Sequence, residues 1–146
     1  MKALSIHPYY AMAIVSGQKS IEVRSWDTDY RGDILICSTA KKYHGTIPSH
    51  ALGVVTLEDI RPFYKLDCPD ALMLKQEWQP NQFAWKLTNN RLIKPIPVKG
   101  KLSLWNYDGE IEYIPEEEWI LPEGVEPGSE QDTADFFKKY WEPLIF

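Results

Sequence analysis

Read for polarity alone, the chain opens on a short apolar run, Ala3, Leu4 and Ile6, and changes period at Pro8. From Pro8 to Ser16, Tyr10, Ala11, Ile14 and Val15 recur at helical spacing. That spacing predicts a helix over 8–16, with proline at its first position and Gly17 as the left-handed residue that ends it. From Lys19 to Trp26 the period becomes two. Ile21 and Val23 alternate with Glu22, Arg24 and Trp26, which predicts a strand with the aliphatic pair toward the core and the other three on the opposite face. Further apolar segments predict strands over 3–6, 33–39, 52–60, 83–88, 91–98 and 101–106. Asn89-Asn90 tolerates positive φ and predicts a tight hairpin between the strands that flank it. A short helix is expected over 69–78, starting near Asp70. A last helix is expected from Asp132, with Asp135 completing a loose capping box, to about Trp141. Many strands and few helices make the fold class α+β, a barrel-like mixed sheet with flanking helices.

Composition narrows this picture in three ways. With 146 residues, 11 prolines and 8 glycines, the chain reads as a single domain over 1–146, built of strands and turns rather than a helical bundle. Charge divides sharply along it. Residues 1–101 hold 14 Lys and Arg against 9 Asp and Glu, while residues 102–146 hold 2 against 12. A mildly basic body therefore carries an acidic C-terminal extension from about residue 108. A nonspecific polyanion binder needs a broad basic surface, so a small local cleft fits this chain better than a long groove. The acidic stretch is either a solvated edge or a cover over that cleft. Cys37 lies in an apolar strand and Cys68 in a Pro-flanked loop, and neither has metal-ligand spacing around it, so reduced structural thiols are expected. His7, His44 and His50 have no ligand spacing either, and no cofactor or metal is called. No apolar run is long enough for a membrane span and no leader pattern is present. The expectation is a cytoplasmic protein with no membrane partner.

The densest chemistry lies in Gly17-Gln18-Lys19-Ser20-Ile21-Glu22-Val23-Arg24. Lys19 can neutralise a phosphate or polarise a carbonyl, or simply sit solvated at a helix end. Arg24 can fork to a phosphate or to Glu22. Glu22 can accept from a base's exocyclic amine or brace the two cations. A self-contained ion-pair network and a ligand site both accommodate these residues. Trp26, Tyr43 and Trp85 offer flat faces on which an unstacked base can lie, worth roughly 1–3 kcal/mol per base, and each can equally be core or rim packing. Lys41 belongs to the basic, aromatic loop Lys41-Lys42-Tyr43-His44-Gly45. Arg31 stands in a turn before Gly32, where a role at the start of the strand competes with ligand contact.

The Gly-x-Lys-x-x-Glu-x-Arg pattern of residues 17–24, preceded by Leu4-Ser5-Ile6 and Pro8-Tyr9, resembles the signature of the ASCH domain family. The likeness continues through Tyr30-Arg31-Gly32-Asp33-Ile34-Leu35-Ile36, Ala51-Leu52-Gly53-Val54-Val55, Phe83-Ala84-Trp85-Lys86-Leu87, Pro95 to Lys101 and Leu104-Trp105. In that order the set spans roughly residues 3–106. The resemblance implies a PUA-like mixed β-barrel. It also implies binding of RNA, single-stranded nucleic acid or a modified nucleoside in a cleft containing the motif. A hydrolase of the N4-acetylcytidine amidohydrolase or ribonuclease type is the alternative. In the amidohydrolase branch the resemblance implies a lysine matching Lys19, a threonine where this chain has Glu22, and a glutamate from a later helix, for which Glu77 is the candidate. Glu22 removes the hydroxyl nucleophile, leaving a carboxylate that can activate water instead.

Overall fold

The structure, a computed structural model, describes residues 1–119 and 136–146. β1 (Lys2–Ile6) leads through α1 (Pro8–Val15) to β2 (Ile21–Arg24), then β3 (Gly32–Ser38), β4 (His50–Pro62), β5 (Phe83–Pro97) and β6 (Leu104–Asn106). They form one sheet in the order β2-β5-β4-β3-β1-β6. β1 and β3 run parallel, as a helical crossover requires, and every other pairing is antiparallel. This is the α+β, PUA-like mixed sheet that the sequence predicts. β4 and β5 pair along nearly their whole lengths, with three register shifts. Such bulges bend and twist a strand, and the sheet curls into a half-barrel. The curl brings edge strand β2 opposite β1, so that Arg24 Nη2 donates to Ser5 O at 3.4 Å.

The main core fills the concave side. Leu4, Ile6, Ile34, Ile36, Val55, Leu57 and Trp85 of the sheet meet Ala11, Ile14 and Val15 of α1. The opposite face of β3 buries Leu35 and Cys37 with Val54 and Ile93. Burial pushes the Cys37 thiol up to about 12. Cys37 and Cys68 are both buried and free.

Three expectations are corrected. Residues 83–97 form one strand, not two, and Asn89 takes its φ of +52° inside a bulge between Thr88 and Arg91. Left-handed tolerance serves a bulge as well as a turn, and only the continuous partner β4 decides between them. Asn90 Nδ2 instead donates to Val15 O at 3.0 Å, closing the end of α1 where Gly17 reverses the chain at φ +85°. The helix expected over 69–78 is a set of turns, with 3-10 turns at Lys65–Asp67 and Lys75–Glu77, because Leu72 at φ +54° interrupts it. The faces of β2 separate as predicted, but both are covered, the Glu22 face as well as the aliphatic one. Glu22 lies beside Trp85 in the register with β5, and Trp26 packs on the main core. Ile21 and Val23 serve a separate small cluster with Phe63, Cys68, Ala71 and Ala84. In the acidic third, the described acids from Asp108 to Glu117 are exposed, while apolar neighbours tie the segment to the fold. Ile114 and Trp141 join the main core, and Tyr113 bridges to Ile93. The predicted start of the last helix at Asp132 lies outside the described residues; Phe137–Trp141 is a π-helical turn. No helix among the described residues is long and apolar enough to cross a membrane.

Candidate functional site

The turn after α1 aims the charged residues inward. Gln18 N and Lys19 N both donate to Ala13 O, and Ser20 N and Ile21 N both donate to Asp70 O. These four bonds pin the chain between the helix end and the 68–73 loop, and the Lys19 side chain enters the gap between β1 and β2. Lys19 is only 4% exposed. Its Nζ donates to Ala71 O at 2.5 Å, lies 3.7 Å from Glu22 Oε1 and sits 4.8 Å above the Tyr10 ring. Glu22, 7% exposed, turns its other oxygen to Arg24 Nη2 at 2.9 Å. Burial lowers the Lys19 pKa below the ordinary lysine value; Glu22 works against that fall and Arg24 adds to it. Arg24 Nε is buried without a hydrogen-bond partner among the described residues.

These groups open onto a cleft of about 560 Å³. Its lining includes Ser5, Ile6, His7 and Tyr10 from β1 and the start of α1, Lys19, Glu22 and Arg24 from the motif, and Met73 and Glu77 from the loop that follows β4. Glu77 comes from a 3-10 turn rather than a helix, and its Oε1 accepts from Leu74 N at 2.9 Å. Glu77, distant in sequence, thus shares one cavity with Lys19 and Glu22. The cleft offers an ammonium and a guanidinium as donors and two carboxylates as acceptors. Phosphates and carbonyls match the first set, and exocyclic amines match the second. Among the described residues no group of His, Cys, Asp and Glu could hold a metal ion.

The remaining predicted residues divide. Trp85 is fully buried and donates Nε1 to Trp26 O at 3.2 Å, and the two rings meet edge-on at 4.7 Å. Neither is a stacking platform in the cleft. Because the Glu22 side of β2 is the concave side, the large aromatics there fill the half-barrel. Arg31 donates to Thr28 O and Tyr30 O at 2.7 and 2.8 Å, bracing its turn away from the cleft. Tyr43 stays at the rim, its ring 4.2 Å from His7, and Lys41 Nζ lies 5.3 Å from the Tyr43 ring. His7 and Tyr10 are the aromatics that line the cleft, and sequence reasoning missed them. The available signal was position: His7 caps α1 by accepting from Tyr9 N, and Tyr10 lies one turn on. The described acids of the C-terminal third do not cover the cleft. Glu112 pairs with Lys94, Glu118 pairs with Lys139, and none of residues 108–119 lines the cavity.

Comparison with known proteins bears on the fold that carries these residues. A family model for the ASCH domain matches residues 4–127. The human protein Activating signal cointegrator 1 is 29% identical over 133 residues, covering 74% of this chain and 22% of that protein. The chain therefore spans about a fifth of the length of that relative. Crystal structures of ASCH from Zymomonas mobilis and of a point mutant of it superpose with TM-scores of 0.54 and 0.53, both at 23% identity. The overlap covers 66% of this chain and 72% and 74% of theirs, and it is a likeness of fold.

Proposed function

The chain belongs to the ASCH domain family, and on that premise we propose that its cleft binds single-stranded RNA by accepting an unstacked nucleotide between β1 and β2. The observation that carries this reading is the convergence of Lys19, Glu22 and Arg24 on one open cavity, where the Arg24 side chain remains 25% exposed. A splayed base presents amines to Glu22, carbonyls to Lys19 and a face to the His7 and Tyr10 rings. Fluorescence anisotropy with a labelled short RNA tests it at roughly 50 and 200 mM salt. Affinity should fall with salt, and Lys19→Met with Arg24→Gln should weaken binding by about tenfold or more. No binding at low salt, or binding indifferent to both changes, overturns the reading.

A second reading rests on its own observation, that Glu77 lines the cleft with Lys19. Hydrolysis of an N4-acetylcytidine would use Glu77 to take a proton from water, since both Glu22 oxygens already face cations. Water oxygen bonds to the acyl carbon, Lys19 stabilises the oxyanion, and the C–N4 bond breaks. The amine takes the proton and acetate leaves. Chromatography of N4-acetylcytidine incubated with the protein decides: turnover lost in Glu77→Gln supports this reading, and no turnover removes it.

A further inference from the structure

The cleft does not end at the lysine. A second cavity of about 590 Å³ shares Ser5, Arg24 and Thr39 with the first and continues between Ser49 and residues 98–103. Charge separates the two lobes. The first sets Glu22 and Glu77 among its cations, whereas the second is lined by Arg24, Lys99 and Lys101 and by no acid. Two left-handed residues also flank the second lobe. Setting aside two asparagines, the left-handed non-glycine residues described are Ser49 at φ +55°, Leu72 at +54° and Ser103 at +58°. Both serines line the second lobe, and Leu72 precedes Met73 in the lining of the first. Strain of this kind gathers where a surrounding structure holds a binding conformation. At Gly100 a Cβ would fall 2.5 Å from Ser5 Oγ, so glycine lets the Lys99–Lys101 backbone lie directly on the floor at Ser5. Arg24, with its unpartnered Nε, stands where the lobes join.

We propose that the second lobe is a phosphate subsite, which holds the phosphate of the nucleotide whose base enters the first lobe. The inference rests on the nucleobase reading above and extends it from a nucleoside to a nucleotide. A phosphate carries negative charge and acceptor oxygens but no donor, so it fits a lobe with cations and hydroxyls and no carboxylate. A base carries amines as well as carbonyls, so it fits the lobe that mixes both signs. A terminal phosphomonoester and an internal phosphodiester share this chemistry.

The test is an amide NMR titration of the full chain with cytidine, cytidine 5′-monophosphate, the dinucleotide CpC and inorganic phosphate. Cytidine should shift amides around Lys19 to Arg24. The monophosphate or the dinucleotide should also shift residues 99–103 and bind about tenfold more tightly than cytidine; whichever of the two binds more tightly identifies the phosphate source. Lys99→Ala with Lys101→Ala should bring that ratio close to one, and Lys99→Arg with Lys101→Arg should restore it. No advantage of the phosphorylated probes, or an advantage that survives the double alanine variant, overturns the subsite. Inorganic phosphate shifting residues 99–103 while cytidine shifts nothing leaves the subsite standing and overturns the nucleobase reading instead.

Discussion

Two arginine–carboxylate contacts in this chain are built to opposite standards. Arg61 meets Asp67 through two parallel bonds of 2.7 Å, and Asp67 also accepts from Tyr64 N at 2.8 Å. Arg24 meets Glu22 through a single contact of 2.9 Å, shares that carboxylate with Lys19, and leaves its buried Nε unpartnered. The first contact ties the end of β4 to the loop that follows, and Arg61 Nη1 donates to Pro62 O as well. The second lines an open cavity and leaves one buried donor unpartnered. Buried donors without partners are costly and therefore rare. Satisfaction, rather than charge or proximity, is what separates the structural pair from the candidate binding cluster.

The strongest way to break that comparison is at Glu22. Glu22→Ala strands the Lys19 ammonium, 4% exposed, without its counter-charge, and should cost about 3 kcal/mol of unfolding free energy in a urea titration. Adding Lys19→Met should recover most of the loss. A cost under about 1 kcal/mol would mean the cluster is solvated like an ordinary surface pair, and the contrast would fall. The next effect is a crossed one. Arg61→Gln should cost about 2 kcal/mol, a figure already reduced because the Arg61 side chain is 39% exposed, and should leave RNA affinity in place. Arg24→Gln should cost under about 1 kcal/mol and weaken RNA binding. The same pair predicts a pH dependence. Arg61 hydrogen bonds hold the Asp67 carboxyl below the ordinary range, burial opposing them and the Tyr64 amide assisting. The native state therefore binds fewer protons than the unfolded chain, so this stabilisation is complete above roughly pH 4 and is lost as pH falls through the lowered value. Arg61→Gln should flatten the decline in urea midpoint between neutral and acidic pH. An unchanged slope would show that the pair does not set it.

The sequence made the open cluster legible and left the closed one unseen. Lys19, Glu22 and Arg24 fall within one short motif, so their meeting follows from strand geometry. Arg61 and Asp67 are joined across a 3-10 turn for which no periodicity speaks. Polarity told half the story at β2, where alternation located two faces but not that both would be covered. That outcome is set by the curl of β4 against β5, a long-range property. The same long-range curl decides for Trp26 and Trp85 between the two roles left open for them, in favour of packing. Glu77 reached the cleft although the helix expected to carry it is absent, because proximity needed only the loop's return across β2. Asn89 illustrates the limit of local signals: its backbone preference is right and its role, a bulge rather than a turn, belongs to its partner strand.

The finest test of the contrast concerns strain. No left-handed residue occurs within 61–67, whereas Ser49 and Ser103 flank the lobe that opens beside Arg24. A left-handed L-residue costs about 1–2 kcal/mol, and glycine there gives back roughly 0.5–1 kcal/mol as extra unfolded-state freedom. Ser103→Gly should therefore raise the unfolding free energy by only about 0.5 kcal/mol, read as a small rise in urea midpoint. It should at the same time reduce the preference for cytidine 5′-monophosphate over cytidine, since the relaxed loop no longer holds Lys99 and Lys101 in place. Stabilisation with weakened phosphate preference would mark the strain as part of the binding conformation. If the variant is instead destabilised, Ser103 is held by native contacts as complete as those of Asp67, and the lobe is finished structure like the Arg61 pair rather than an open site.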